Sequence, residues 1–449
     1  MKHEQQFFLS ITCIYIAIPG KLRLTSDEKR VFCCNLTHPK NHCRGSPRRI
    51  CESYNRQRRN RRHANETQGG MSMITCQRHL FDLPDEYAYL NCAYTSPMLK
   101  KAKEGAISAI NAKSSPWTIK PVHFFTMMEE NRSLFAQMID TEADNIAITT
   151  AVSYGIALAA KNIPVSKGQK IIVLQDQFPS NVYAWRKLAA LKEAEIVTVP
   201  RPGNSDFTPA ILEAITPDTA IAALQNCHWT DGAVIDLVKV GEKCRETGTV
   251  LVIDAIQSLG AIPFSVKKVQ PDFVATATHK WLLGGYGYGF CYVAPKWQNG
   301  DPLEENWLTR KDSENFAGLV DYKDDYQKGA RRFDVGGASN FQLAPVVNAG
   351  LRQILTWGVE NIAATLKVRI DDIAQRAEHM GFIPTPTPVR SPHMLGIGMK
   401  NGIPASFLED LANSNVFVSI RGKSVRIAPH LYNTELDVAK LFEALKKTV

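Results

Sequence analysis

At 449 residues the chain is too long for one small core, which points to one large domain with a smaller companion, or to two domains. Hydrophobic residues make up 44% of it, enough to bury a sizeable core. The formal charge of +9 is confined to the first 70 residues, which hold 14 Lys+Arg against 5 Asp+Glu; residues 71–449 hold 39 of each, so charge gives the globular part no case for nucleic-acid binding.

The chain opens with FFLSITCIYIAIPG (7–20), about twelve apolar residues. That is too short to cross a bilayer and close in length to a signal-peptide apolar region, but no small-x-small cleavage site follows. Cys33, Cys34, His38, His42 and Cys43 are zinc-ligand types, yet CCNLTHPKNHC lacks the paired spacing a zinc site uses. NRQRRNRRH (55–63) reads as a solvated tail, with nucleic-acid contact or targeting as the alternatives. Residues 1–70 therefore read as a basic extension, disordered or mis-assigned, with Met71 a natural start. Past it, Cys76, Cys92, Cys227, Cys244 and Cys291 are scattered, which fits a reducing, cytoplasmic compartment and no disulfide framework.

From about residue 80 the pattern predicts alternating strands and helices. Strands are expected at 146–149, 170–174, 195–199, 219–224, 249–254, 272–277 and 289–293. Most are short, nearly continuous apolar runs, as buried and mostly parallel strands should be. Between them, 181–195 carries Val182, Trp185, Leu188, Ala189 and Leu191 on one helical face, and 233–247 carries Val234, Leu237, Val238 and Cys244. This βαβ rhythm predicts an α/β fold with an open, mostly parallel seven-stranded sheet covered on both faces. Beyond about residue 300, helices are expected near 344–357 and 362–379. Short strands follow at MLGIGM and VFVSI, and a last helix from Thr434, whose TELD start resembles a capping box with Asp in place of Glu. This is a smaller α+β domain.

The chemistry gathers at strand ends. Lys280 follows an apolar run in ATATHKWLLGGYGYG and is either a solvated charge or a held nucleophile. Asp254 ends the preceding strand in VIDAIQSLG, and a carboxylate arriving out of an apolar run needs a cationic or hydrogen-bonding partner. Capping the next segment is the ordinary explanation. The alternative is a protonated pyridine nitrogen, because an Asp and a Lys at adjacent strand ends can hold one flat cofactor by opposite sides. GGYGYG (284–289) does not satisfy GxGxxG and leads into a strand, so it is a turn allowing close backbone approach.

Asp254-x-x-Gln257, then His279-Lys280 and a Gly-rich turn, with YLNCAYTSPM (89–98) upstream, resembles the class V aminotransferase family of fold-type I pyridoxal-phosphate enzymes. That family includes cysteine desulfurases, selenocysteine lyases, kynureninases and isopenicillin N epimerase. The resemblance implies pyridoxal 5'-phosphate as cofactor and Lys280 as its Schiff-base lysine. Asp254 would pair the pyridinium, Gln257 would lie near the phenolic oxygen or the lysine, and His279 would meet the phosphate. It also places Ser153 and the main chain of Val152 on the phosphate, the alternative being a helix cap by Ser153 or Thr150. Phe178 would stack on the ring, or is simply a core phenylalanine.

Trp229 stands where desulfurases carry an Asn and would face substrate; His228 and Asp231 are substrate-facing or turn residues. Arg426 would clamp the substrate α-carboxylate, with Arg421 as runner-up and a surface strand as the plain alternative. Residues 331–345 resemble a loop that crosses to a partner subunit, with Gly337 in place of a phosphate-binding Thr and Ser339 or Asn340 as substitutes. Ala277 replaces a family serine, leaving Thr276 or Thr278 to offer a hydroxyl. No cysteine follows Cys291, which disfavours a desulfurase with its own cysteine nucleophile.

The implied domains are 71–104, a segment packing with the small domain; 105–310, the large cofactor-binding domain; and 311–449, the small domain. The implied function is transamination or Cβ-lyase chemistry on a small amino acid, in a homodimer with shared sites and no membrane association. Desulfurase or selenocysteine-lyase-like activity, epimerisation and a non-catalytic cofactor sensor are the alternatives.

Overall fold

The computed structural model describes residues 72–448, so the readings of residues 1–70 lie outside the described residues. The first elements in chain order are β1 (Ala88–Tyr89), α1 (Lys100–Lys113) and α2 (His123–Met138). Then come β2 (Ile146–Thr149), α3 (Val152–Asn162), β3 (Lys170–Leu174), α4 (Tyr183–Lys192) and β4 (Glu195–Val199). They are followed by α5 (Phe207–Ala214), β5 (Thr219–Gln225), α6 (Leu237–Thr247), β6 (Val250–Asp254), α7 (Val266–Val269), β7 (Phe273–Ala277) and β8 (Gly289–Val293). The C-terminal part holds α8 (Ala344–Trp357), α9 (Val359–His379), β9 (Ile383–Pro384), β10 (Leu395–Gly398) and α10 (Phe407–Asn413). β11 (Val416–Phe417), β12 (Ser419–Arg421), β13 (Ser424–Ile427) and α11 (Glu435–Leu445) complete it.

The seven expected strands form one sheet in the order β2-β8-β7-β6-β5-β3-β4. β7, β6, β5, β3 and β4 are parallel; β8 runs against both β7 and β2. Side chains alternate across it. Ile172, Leu224, Ile253 and Val274 enter one apolar cluster, and Ile171, Ala223, Val252 and Ala275 enter the other, with α3 and α4 packed on that second face. A four-stranded antiparallel sheet, β12-β13-β10-β9, packs against α9 and α11 in a third cluster. β1 pairs in parallel with β11, so the segment before α1 joins the C-terminal strands. Thr434 caps α11 in a capping box with Asp437, as the TELD start predicts.

Two helices start later than their apolar spacing suggested. Residues 179–181 form a 3-10 turn, and α4 ends at Lys192 before Glu193 at φ 50, so Leu191 in its last turn is 73% exposed rather than on the core face. Residues 233–235 bond to Val389, Arg390 and Asn226, so α6 begins at Leu237, and Val238 is 40% exposed.

α3 sits tightly on β7. A Cβ on Gly155 would lie 2.7 Å from the Ala275 Cβ and 3.3 Å from the Cys291 Sγ. Gly155→Ala should therefore push the helix outward and destabilise the fold by about 1–3 kcal/mol, the usual cost of overpacking. A urea midpoint equal to the parent's would show that α3 has room to move. Among the described residues no helix is long and apolar enough to cross a membrane.

Candidate active site

Loops leaving the carboxyl ends of the parallel strands meet in one cavity of about 500 Å³, within the range usual for small-molecule sites and where open α/β sheets bind ligands. β6 delivers Asp254, β7 leads into His279-Lys280, β2 leads into the start of α3, and the loop after β3 brings Phe178. Trp229, Arg421 and Arg426 complete the wall.

Lys280 is fixed by its backbone. The His279 carbonyl accepts from Ser96 N at 2.9 Å, the Lys280 carbonyl accepts from Leu283 N at 3.1 Å, and Leu283 itself takes the left-handed φ of 55°. That conformation is costly for a leucine and closes the turn that presents the lysine. Nζ lies 5.9 Å from the centroid of the Phe178 ring. Lys280 makes no ion pair closer than 4 Å among the described residues. Protein packed around it, with the Arg426 charge adding, lowers its pKa to about 8 against the pull of Asp254.

Asp254 is 4% exposed. Oδ1 accepts from Ile256 N at 3.1 Å, a turn contact that leaves the other oxygen for a further donor. Burial raises its pKa to about 6, opposed by that hydrogen bond and by Lys280. His279 is held neutral, lowered to about 4 by burial and by the Lys280 charge; its Nδ1 is buried without a protein partner, and Tyr286 packs against its ring.

The N-cap of α3 is Ala151, with no side-chain cap. Neither Ser153 nor Thr150 serves as the cap, and both line the cavity beside Val152. The first amides of a helix have no partner within it, so this end presents N–H groups to an anion. Phe178 is not a core residue. At 37% exposure it stands edge-on to Trp229, centroids 5.3 Å apart. Its loop is pinned because Gln177 donates to the Asn181 and Ala223 carbonyls and Asn181 to that of Leu224. Arg426, 1% exposed, donates from Nη1 to the Trp229 carbonyl at 2.7 Å, while its Nε is buried without a partner. Burial and the nearby Arg421 lower its pKa to about 9.

Some expected residues lie elsewhere. The Thr278 hydroxyl donates to the Gly285 carbonyl at 2.8 Å inside the glycine turn, and that of Thr276 donates to Ala277; neither residue lines the cavity. Gln257 does not line the main cavity; it donates to the Ala93 carbonyl, accepts from Trp281 Nε1 at 3.0 Å, and borders a small cavity together with Asp254 and Lys280. His228 is fully buried, stacked on Phe207, and with Thr230 and Asp231 it surrounds Arg201; these are packing residues away from the cavity. Gly337, Ser339 and Asn340 do not line this chain's cavity. The residue-by-residue reading passed over Ala93, Tyr94, Thr95 and Tyr286, which do. In the sequence they fall within YLNCAYTSPM and the glycine turn.

The family model for aminotransferase class-V matches residues 111–441. The chain belongs to that family. It is a pyridoxal-phosphate-dependent enzyme. The uncharacterized aminotransferase YcbU of Bacillus subtilis (strain 168) is 26% identical over 378 residues, covering 79% of this chain and 95% of that one. A probable cysteine desulfurase of Pyrococcus abyssi is 31% identical over 169 residues, 37% of this chain and 42% of that one. Among solved structures, the apo cysteine desulfurase of Thermococcus onnurineus NA1 superposes with TM-score 0.71 at 19% identity, covering 84% of this chain and 99% of that one. A C-DES mutant with glycine covalently linked to its PLP cofactor gives TM-score 0.76 at 17% identity, covering 84% and 100%. Both are likenesses of fold.

The cavity suits the cofactor on its own chemistry. Among the described residues one Asp254 carboxylate oxygen takes no hydrogen bond, Lys280 has no acid partner within 4 Å, a helix start faces the cavity uncapped, and buried nitrogens of His279 and Arg426 lack partners.

Proposed function

We propose that this enzyme transforms a small amino acid by transaminase or Cβ-lyase chemistry, with Lys280 as the lysine bonded to pyridoxal phosphate. The observation that carries this is the convergence of Lys280, Asp254, the start of α3 and Arg426 on one cavity. The bound cofactor supplies an electron sink for the pair released at the substrate Cα. Asp254 would hold a proton at the pyridine nitrogen, and Phe178 would cover the ring. The Ser153 hydroxyl, the Val152 and Ser153 amides and neutral His279 would hold the phosphate. Lys280, its pKa lowered to about 8, would offer a larger share of free amine near neutral pH than an ordinary lysine, to take and return the Cα proton. Trp229 would wall the substrate side. Arg426 would grip the α-carboxylate, with its buried Nε available for a planar contact.

A desulfurase with its own cysteine nucleophile is not favoured. Cys92 and Cys227 are buried, neither lines the main cavity, and burial raises both thiol pKa values. A solved neighbour described as a cystine C–S lyase supports keeping the lyase branch beside transamination. Free thiols at all five described cysteines support a cytoplasmic setting. Ile107, Ile110 and Trp117, exposed near one another in sequence, support a second copy as partner.

The test is an amino-acid panel on the holoenzyme, reading visible absorbance and then ketoacid, pyruvate and ammonia. Product with a spectral shift supports the reading; shifts without product would make the protein a sensor. Arg426→Gln should raise KM for the amino acid by about 10–100-fold, the value of a lost hydrogen bond to a charged group, with a smaller change in kcat. An unchanged KM would remove Arg426 from the carboxylate.

A further inference from the structure

We propose that Arg421 is a second anion-binding residue in this cavity and that the substrate amino acid carries an acidic side chain. This rests on the reading above, in which Lys280 holds the cofactor and Arg426 the α-carboxylate.

The β12–β13 hairpin sets the geometry. Ser419 faces Arg426 and Arg421 faces Ser424, which puts all four side chains on one face and makes the arginines diagonal neighbours, about 7–8 Å apart at the backbone. Gly422, at φ +57, opens the two-residue turn and fixes that register. Both arginines line the cavity that Lys280 also lines.

Neither arginine forms an ion pair among the described residues. Arg421 donates only to its neighbour's carbonyl, Ile420 O, at 2.7 Å, and Arg426 only to Trp229 O. Among the described residues Asp254 is the only acidic one on the cavity wall, and its proposed partner is the pyridine nitrogen of the cofactor. Two like charges held this close, with no carboxylate between them, favour binding of anions from outside the chain. One α-carboxylate occupies one planar fork, and the second fork is left for another acid group. The Arg421 guanidinium also lies 5.8 Å from the Trp229 ring centroid, and Trp229 is itself tethered through Nε1 to the Asp176 carbonyl at 2.6 Å. Arg421 is thus held over a fixed aromatic face.

The test is spectral titration of the full-length holoenzyme with L-aspartate and L-glutamate against their neutral isosteres, L-asparagine and L-glutamine. In the parent at least one acid should bind about tenfold more tightly than its amide, about 1.4 kcal/mol. In Arg421→Gln that ratio should fall to about one, and Arg421→Lys should recover part of it. A parent ratio near one overturns the proposal. So does a variant in which acid and amide weaken by the same factor, because Arg421 would then share the α-carboxylate. Loss of cofactor retention with an unchanged ratio would assign Arg421 to the phosphate and also overturns it. If no amino acid shifts the parent spectrum at all, the underlying reading of Lys280 fails first, and this one with it.

Discussion

Lys280→Ala should abolish the borohydride-fixable bond between protein and cofactor and lower kcat/KM by about 10⁴-fold. Two losses combine. The variant has no amine to hold the cofactor covalently, and it has no base within reach of the substrate Cα; general-base catalysis alone contributes about 10²–10⁴-fold. His279 cannot substitute, because burial lowers its pKa to about 4, which leaves it a weak base, and its ring is packed against Tyr286. The fold should survive, since the backbone on both sides of residue 280 is held by Ser96 N on the His279 carbonyl and Leu283 N on that of residue 280. Near-ultraviolet circular dichroism and cofactor absorbance would confirm a folded, loaded protein. A Lys280→Ala protein that still fixed cofactor under borohydride would show that another amine is the anchor. Lys280→Arg should fail equally: it keeps the charge but cannot form the bond, which separates covalent chemistry from electrostatics.

The seven strands were legible because strands buried on both faces must be apolar throughout, and such runs stand out against amphipathic helices. Their observed ends lie within a residue of those expected. The helix starts at 181 and 233 were not legible, because tertiary bonds override the helical period there. Asn181 is tied to the Leu224 carbonyl of β5, and Val234 to that of Val389, more than 150 residues away in sequence. The site divides along the same line. Lys280 and Asp254 could be found because charged groups interrupt apolar runs at strand ends. Thr278 and Gln257 carry suitable groups, yet their hydrogen bonds go to Gly285, Ala93 and Trp281, partners that sequence spacing does not announce. Arg421 lies between these cases. In RGKSVR a two-residue turn after Arg421 puts Arg426 on the same hairpin face, so the pairing is implicit in the pattern, but the shared cavity appears only once β13 is seen against Trp229.

Asp254→Asn should lower kcat/KM on the order of 10³-fold while leaving the protein folded, and it should change how apoprotein stability depends on pH. The isosteric amide keeps an oxygen for the Ile256 N–H, so a residue serving only as a turn cap would tolerate the change. What is lost is the negative charge that would hold a proton at the pyridine nitrogen, a preorganised electrostatic contribution of the size seen when single stabilising groups are removed from active sites. Retention of more than a tenth of parental activity would return Asp254 to a capping role.

The stability effect has a definite sign. The carboxyl's pKa is about 6 in the folded apoprotein, raised by burial from 3.8. Over that interval the folded state binds more protons than the unfolded state, so parental stability falls as pH rises from about 4 to about 6 and then stays low on this account. Asn does not titrate. The parent-minus-variant difference from urea unfolding of the apoproteins should therefore drift against the parent across that window, by an amount on the order of a few kcal/mol. Loss of the carboxylate also leaves Lys280 with less to support its charge, which offsets part of the variant's gain at neutral pH but not the drift between pH 4 and 6. Pyridoxal phosphate should reverse the parental loss, because its pyridinium would give the Asp254 carboxylate a donor. Binding should then stabilise the parent more than the variant, an ordering that thermal scans with and without cofactor would read directly.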